Sequence, residues 1–251
     1  MCEKCCGAKA RDSVNIDRRT ALAFGLSAAA AIAMPFAAKA EDDEAEPPRP
    51  QNVIEPDAAL ERLMEGNTRY IKGNGKSHDF VAERPALVGG QNPFAGVLSC
   101  ADSRIAPELA FDTSRGDLFV CRVAGNFVTP DNLASFEFST AVLNTPLILV
   151  LGHDACGAVA STISSIEDDE TLPGHLPTLV EALTPAVKQA SAQGHDNLLE
   201  RSIEDNVRLN VEKLKTASPI LDKAVSDGKL KVVGGVYKLE TGKVELISGT
   251  A

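Results

Sequence analysis

Short runs of apolar residues that do not alternate with polar ones constrain this chain more than any other feature. They cover 95–99, 118–124 and 147–151, and a fourth strand-like run covers 231–239. A strand with one wet face alternates. A run that stays apolar needs cover on both faces, which is the environment of a parallel strand. Between and around these runs, apolar residues recur at helical spacing. Leu60, Leu63, Met64 and Ile71 do so over 57–72, which ends at Gly73, and further helices are expected over 132–143, 179–192 and 198–216. Asp131 or Asn132 is the expected cap of the second of these. In the last, Val207, Val211 and Leu214 share a face. The turn Glu240-Thr241-Gly242 leads into a short antiparallel return over 243–247. Such strand–helix alternation predicts an α/β fold. Its sheet is mainly parallel, with about four strands plus a short antiparallel edge strand, flanked by helices. The 57–72 helix is an N-terminal helical arm whose apolar stripe would pack on a neighbouring subunit.

Of 251 residues, 44% are hydrophobic but only 4% aromatic, with no Trp. The core must be aliphatic, and the stacking platforms of a single-strand nucleic-acid binder are missing. A net charge of −10 argues against nucleic acid or an anionic membrane as partner. Residues 1–40 are expected to be an export signal. Asp17-Arg18-Arg19-Thr20 precedes an Ala-rich, mildly apolar stretch, and Ala38-Lys39-Ala40 offers small residues for cleavage. Twin Arg before a weak apolar region resembles a twin-arginine signal, which implies a periplasmic or otherwise exported protein with no membrane attachment once the signal is removed. An ordinary secretory signal or an uncleaved anchor is the alternative. An acidic, Pro-rich linker follows over 41–54, and 55–251 reads as a single domain. Cys2, Cys5 and Cys6 would leave with the signal. The remaining Cys100, Cys121 and Cys156 are an odd number, which argues against a disulfide framework.

Two blocks carry the chemistry. Cys100-Ala101-Asp102-Ser103-Arg104 follows the first apolar run, and His153-Asp154-Ala155-Cys156-Gly157 follows the third. In open parallel sheets, sites form at the carboxyl ends of strands, so the two segments can converge. Two thiolates and an imidazole suit Zn²⁺, and three protein ligands leave a fourth position open, the arrangement of a catalytic site. Cys156 stands where a helix begins, and a helix N-terminus favours the thiolate. Taken singly, each residue has a plainer reading: a buried Cys is usually an inert small hydrophobe, a strand-end His a hydrogen-bonded structural residue, and Asp102 with Arg104 a buried ion pair. The His-x-x-Cys and Cys-x-Asp-x-Arg spacings together favour the metal site. Cys121 is expected to pack inside its strand, and His78, His175 and His195 to lie on the surface.

At these residues the chain resembles the β-class carbonic anhydrases. The resemblance runs from about Pro56 to Ile247 and rests on CADSR, GDLFVCRVAGN (116–126), LVLGHDACGAV and the VVGGVYKLETGKVEL ending. It implies that Cys100, His153 and Cys156 ligate one zinc ion per chain, and that Asp102 and Arg104 form a catalytic dyad. Gln91 would orient substrate, Phe119 and Phe138 would wall the pocket (many members carry Tyr at the latter position), and Gly157 would offer its N–H to a substrate oxygen. The implied activity is reversible hydration of CO₂ to bicarbonate and a proton, in a homodimer or dimer of dimers. Some members shut the site with bicarbonate bound in a second pocket that uses a Trp three residues before the first zinc Cys. Here that residue is Val97, although the pocket's arginine is retained as Arg122, so an open site is expected. Two alternatives stay in view: a carbonyl sulfide or carbon disulfide hydrolase on the same zinc site, and a non-catalytic zinc-stabilised module. A thiol oxidoreductase is disfavoured, because 41–251 holds no Cys-x-x-Cys pair.

Overall fold

The unalternating runs form parallel strands. β1 (Ala95–Ser99), β2 (Leu118–Arg122), β3 (Leu147–His153) and β4 (Lys231–Tyr237) are parallel, and β5 (Val244–Ser248) returns antiparallel beside β4. Their order across the sheet is β2-β1-β3-β4-β5. This computed structural model describes residues 54–249. The export signal expected over 1–40, with Cys2, Cys5 and Cys6, and the linker as far as residue 53 lie outside the described residues.

Every residue of β1 and β3 is buried, because their side chains enter two apolar clusters alternately. Leu98, Ile148, Val150 and Val232 enter one cluster; Val97, Leu149, Leu151 and Val233 enter the other. β2 is an edge strand and only half-buried. It ends two residues short of the expected 124, shortly before the chain turns at Gly125 with φ +86°. β3 runs on to His153, because β4 pairs with it as far as Tyr237. The last two residues expected in β4 belong instead to the turn into β5, where the Lys238 N–H donates to the Lys243 carbonyl.

Eight helices complete the described residues: α1 (Pro56–Ile71), α2 (Arg84–Val88), α3 (Pro107–Ala110), α4 (Pro130–Ala141), α5 (Gly157–Glu167), α6 (Pro177–Ser191), α7 (Leu198–Lys215) and α8 (Leu221–Ser226). The cap of α4 is Thr129, not Asp131 or Asn132. Pro130 takes the first helical position, and Asn132 is the other half of a reciprocal capping box. Part of the α1 stripe packs on its own chain: Leu63, with Ala59, is fully buried in the cluster that holds Phe94 and Phe111, Leu60 and Met64 are partly buried against it, and Ile71 is 44% exposed. α7 lies directly on β3 and β4. A Cβ at Gly152 or Gly234 would come within 2.8 Å or 2.6 Å of Val207, so only glycine lets the helix approach this closely.

From β1 the chain moves to one side, to β2; from β3 it moves to the other, to β4. The carboxyl ends of β1 and β3 therefore flank a topological switch point, the place where an open parallel sheet leaves a crevice. Among the described residues, no helix is long and apolar enough to cross a membrane.

Candidate metal centre and active site

Cys100 follows β1 immediately and His153 is the last residue of β3. Ser99 pairs with Leu151, so the two leave adjacent strands side by side. Cys156 is the N-cap of α5, reached through Ala155 in the left-handed conformation with φ +50°. These three residues are buried, and their ligand atoms all lie within 4.8 Å of one another.

The surroundings fit a cation. His153 Nδ1 lies 2.8 Å from the Asp154 carbonyl, so this nitrogen carries the hydrogen and Nε2 is left with its lone pair. Nε2 is buried and makes no hydrogen bond. Such an orphaned acceptor beside two sulfurs is accounted for by a metal ion. The Cys100 thiol is pulled down to about 4, first by the S–H of Cys156, with His153 and the Gly125 and Asp102 N–H groups adding. Cys156 is pushed up because it keeps the shared proton, although the Val159 and Ala158 N–H groups at the start of α5 work the other way. Burial by itself would discharge the His153 imidazolium, yet the Cys100 sulfur turns the net shift upward. All three shifts describe a pocket that favours positive charge between the donors.

Asp102 and Arg104 form a two-point pair beside this cluster. Arg104 Nε donates to Asp102 Oδ1 at 2.9 Å and Nη2 to Oδ2 at 2.8 Å, while the Arg104 N–H adds a third bond at 2.9 Å. Arg104 first, through these bonds, holds the Asp102 carboxyl far below the ordinary carboxylate range. Asp102 Oδ2 lies 3.7 Å from His153 Nε2, so the carboxylate borders the donor set. Arg104 Nη2 also reaches the Ala155 carbonyl at 3.2 Å, tying the first block to the second. Gly157 opens α5, and nothing lies within 4 Å of where its Cβ would stand.

The other expected site residues lie elsewhere in the chain. Phe119 is opposite Gly96 on β1, about 13 Å along the strand direction from Cys100. Its ring is 6.5 Å from that of Phe138, itself 46% exposed. Gln91 is exposed on the segment leading into β1. Cys121 is partly buried against the first cluster, with its thiol pushed up by burial. His175 and His195 are exposed. His78 is half-buried, stacked on Phe80 and 3.5 Å from Glu83.

Two residues that sequence reading did not place at the site hold it together. Arg122 donates to the carbonyls of Cys100 (2.9 Å), Asp102 (2.8 Å) and Ile105 (3.0 Å), so its guanidinium spans the whole loop after β1. Asp154 accepts the Leu239 N–H at 2.9 Å, and its own N–H donates to the Tyr237 carbonyl, which fixes the peptide that receives His153 Nδ1. Asp154 lies inside a quoted motif, but nothing in its spacing signals that it bonds across to β4. Val97 is fully buried in the second cluster.

Fold and site together define an α/β protein with a Cys-His-Cys candidate metal centre at a sheet switch point. The family model described as carbonic anhydrase matches residues 95–244. The chain is 36% identical over 195 residues to "Carbonic anhydrase 2" of Mycobacterium tuberculosis, covering 76% of this chain and 92% of that one. The solved β-carbonic anhydrase CcaA is 28% identical, with a TM-score of 0.58 over 76% of this chain and 95% of that chain. One of two tetrameric β-carbonic anhydrases from Sordaria macrospora is 26% identical, with a TM-score of 0.61 over 77% of this chain and all of that one. This chain belongs to the β-class carbonic anhydrases.

Proposed function

We propose that this enzyme catalyses the reversible hydration of CO₂ to bicarbonate and a proton, with one zinc ion per chain held by Cys100, His153 and Cys156. The observation that carries the reading is the buried donor set with its orphaned His153 Nε2, bordered by the Asp102–Arg104 pair. When bound, zinc supplies a nucleophilic hydroxide at neutral pH by lowering the pKa of water to about 7. Asp102 stays ionised beside Arg104 and accepts a hydrogen bond from the nucleophile, aiming its lone pair at CO₂. Arg104 holds both carboxylate oxygens and so keeps Asp102 away from the ligand position. The Gly157 N–H, at the start of α5, is the group offered to a substrate oxygen.

Phe119, with Phe138 beside it, lies about 13 Å along the strand from Cys100, too far to wall its own centre, and Gln91 is exposed ahead of β1. A homodimer or dimer of dimers would give them that role, each copy lending its set to another, and the tetrameric Sordaria enzymes support an assembly of this kind. Sedimentation alongside activity at falling protein concentration tests it: activity should fall as the assembly dissociates.

Val97 supplies no indole, and the Arg122 guanidinium is engaged by three carbonyls. Bicarbonate should therefore inhibit hyperbolically, as product alone; sigmoidal inhibition would show that a second bicarbonate site operates. The Arg18-Arg19 pair supports export of the enzyme from the cytoplasm by the twin-arginine route. Replacing both with Lys should trap precursor inside, and unchanged export would favour an ordinary secretory signal. The test of the activity is CO₂ hydration by zinc-quantified protein, assayed beside carbonyl sulfide and carbon disulfide. Hydrolysis of either sulfur compound without CO₂ hydration would reassign the reaction, and zinc with no turnover of any of the three would favour a structural ion.

A further inference from the structure

α7 carries two asparagines on its buried stripe, Asn206 (2% exposed) and Asn210 (1% exposed), among Ile203, Val207 and Val211. A primary amide in an apolar cluster costs free energy unless its donors and acceptors are matched. These are matched in a single ladder. The Val128 N–H donates to Asn210 Oδ1 (2.8 Å), Asn210 Nδ2 donates to Asn206 Oδ1 (2.9 Å) and to the Asn206 carbonyl (2.7 Å), and Asn206 Nδ2 donates to the Gly125 carbonyl (2.8 Å). The ladder clamps the chain between Gly125 and Val128 onto α7. The clamp adjoins the sulfur contact: the Gly125 N–H, in the peptide just before the clamped one, donates to Cys100 Sγ at 3.3 Å. Gly125 has φ +86°, and with no Cβ it can take many other backbone angles, so its geometry is set by contacts from outside. Asn206 grips the other side of Gly125, its carbonyl in the next peptide, whose Asn126 N–H is also held by the Val123 carbonyl at 2.9 Å.

We propose that Asn206, braced by Asn210, is a positioning residue for the Cys100 thiolate: it holds the Gly125 N–H on the sulfur, orienting the thiolate and restraining the charge it donates to the metal. This rests on the zinc reading above. Partners that orient a metal ligand from behind typically contribute roughly 10–100-fold in metal affinity or activity.

The test uses zinc affinity, measured by chelator competition, and the thiolate-to-metal charge-transfer band of the cobalt-substituted protein. Asn206→Ala should bind zinc roughly 10–100-fold more weakly than wild type. Its cobalt band should move to longer wavelength, since the sulfur lone pairs lose the N–H that stabilises them. Asn210→Ala, one bond further from the sulfur, should shift both readouts the same way by less, and it serves if Asn206→Ala does not fold. Val211→Ala, a cavity variant on the same buried stripe, should lower thermal stability and leave the cobalt band in place. Wild-type affinity and band in both Asn variants, or a Val211→Ala band that moves as theirs do, would overturn the proposal. Wild type that takes up no zinc would instead remove the reading beneath it.

Discussion

The two ends of the sheet are built differently. At the carboxyl ends of β1 and β3, loop backbone is tied by side chains from distant elements: Arg122 takes three carbonyls, Arg104 reaches Ala155, Asp154 takes the Leu239 N–H, and Asn206 holds Gly125. At the amino ends, a cavity of about 620 Å³ lies between the start of α1, the end of α4 and α8. There the Thr140 and Thr145 hydroxyls are buried with no hydrogen-bond partner. Packing alone is enough to close a sheet. Holding three donor atoms at one point is not a packing problem, because apolar contacts are non-directional whereas hydrogen bonds fix orientation. Directional bonds are what place the donor atoms at the carboxyl ends, where Asn126 Nδ2, alone among the loop side-chain amides of the described residues, is left buried and unpaired.

The largest way to break this contrast is Cys156→Ser. With two strong donors left, the centre should lose zinc and activity together, as elemental analysis beside a CO₂ assay would show. Full zinc occupancy in the variant would remove Cys156 from the ligand set. Next comes Arg104→Ala, which should keep zinc but lower CO₂ hydration roughly 10–100-fold or more, because the freed Asp102 can swing onto the open position. Near-normal turnover would separate the pair from the reaction.

Arg122→Ala sharpens the comparison on the side of stability. Removing a half-exposed guanidinium from three carbonyls should cost about 1–2 kcal/mol, a melting point lower by roughly 2–8 °C. Arg122→Lys should recover only part of this, since one ammonium cannot span the loop. An unchanged melting point in Arg122→Ala would show that the loop is held without it. Thr145→Val probes the other end and should do least. Exchanging an unpaired buried hydroxyl for a methyl of the same shape should leave stability within about 1 kcal/mol, or a few degrees, and leave turnover unchanged. A larger loss would mean that this end, too, is organised by a bond to that hydroxyl.

The strands were legible because burial on both faces leaves few polar residues to alternate, and 95–98 and 147–151 carry that pattern without interruption. The donor set was legible because two cysteines and a histidine followed strands in motif spacing. The cap of α4 was misread: Thr129 and Asn132 act as a pair, and a single-position preference cannot see reciprocity. For α1's stripe, amphipathicity reported that a face is buried and not what buries it: Leu63 packs on the chain's own core while Ile71 stays exposed. The asparagines of α7 did leave a trace, as two amides four apart on an apolar stripe, but a trace of that kind names no partner.

By itself the sequence determined the local terms: which runs become strands, where glycine must stand, and which side chains can donate to a metal. Tertiary structure decided which peptide each long-range hydrogen bond orients. Arg122 is 22 residues from Cys100 and Asn206 is 81 from Gly125. Periodicity reaches only a few residues along the chain, whereas these bonds exist only once the sheet order and the seat of α7 on β3 and β4 have brought distant segments together.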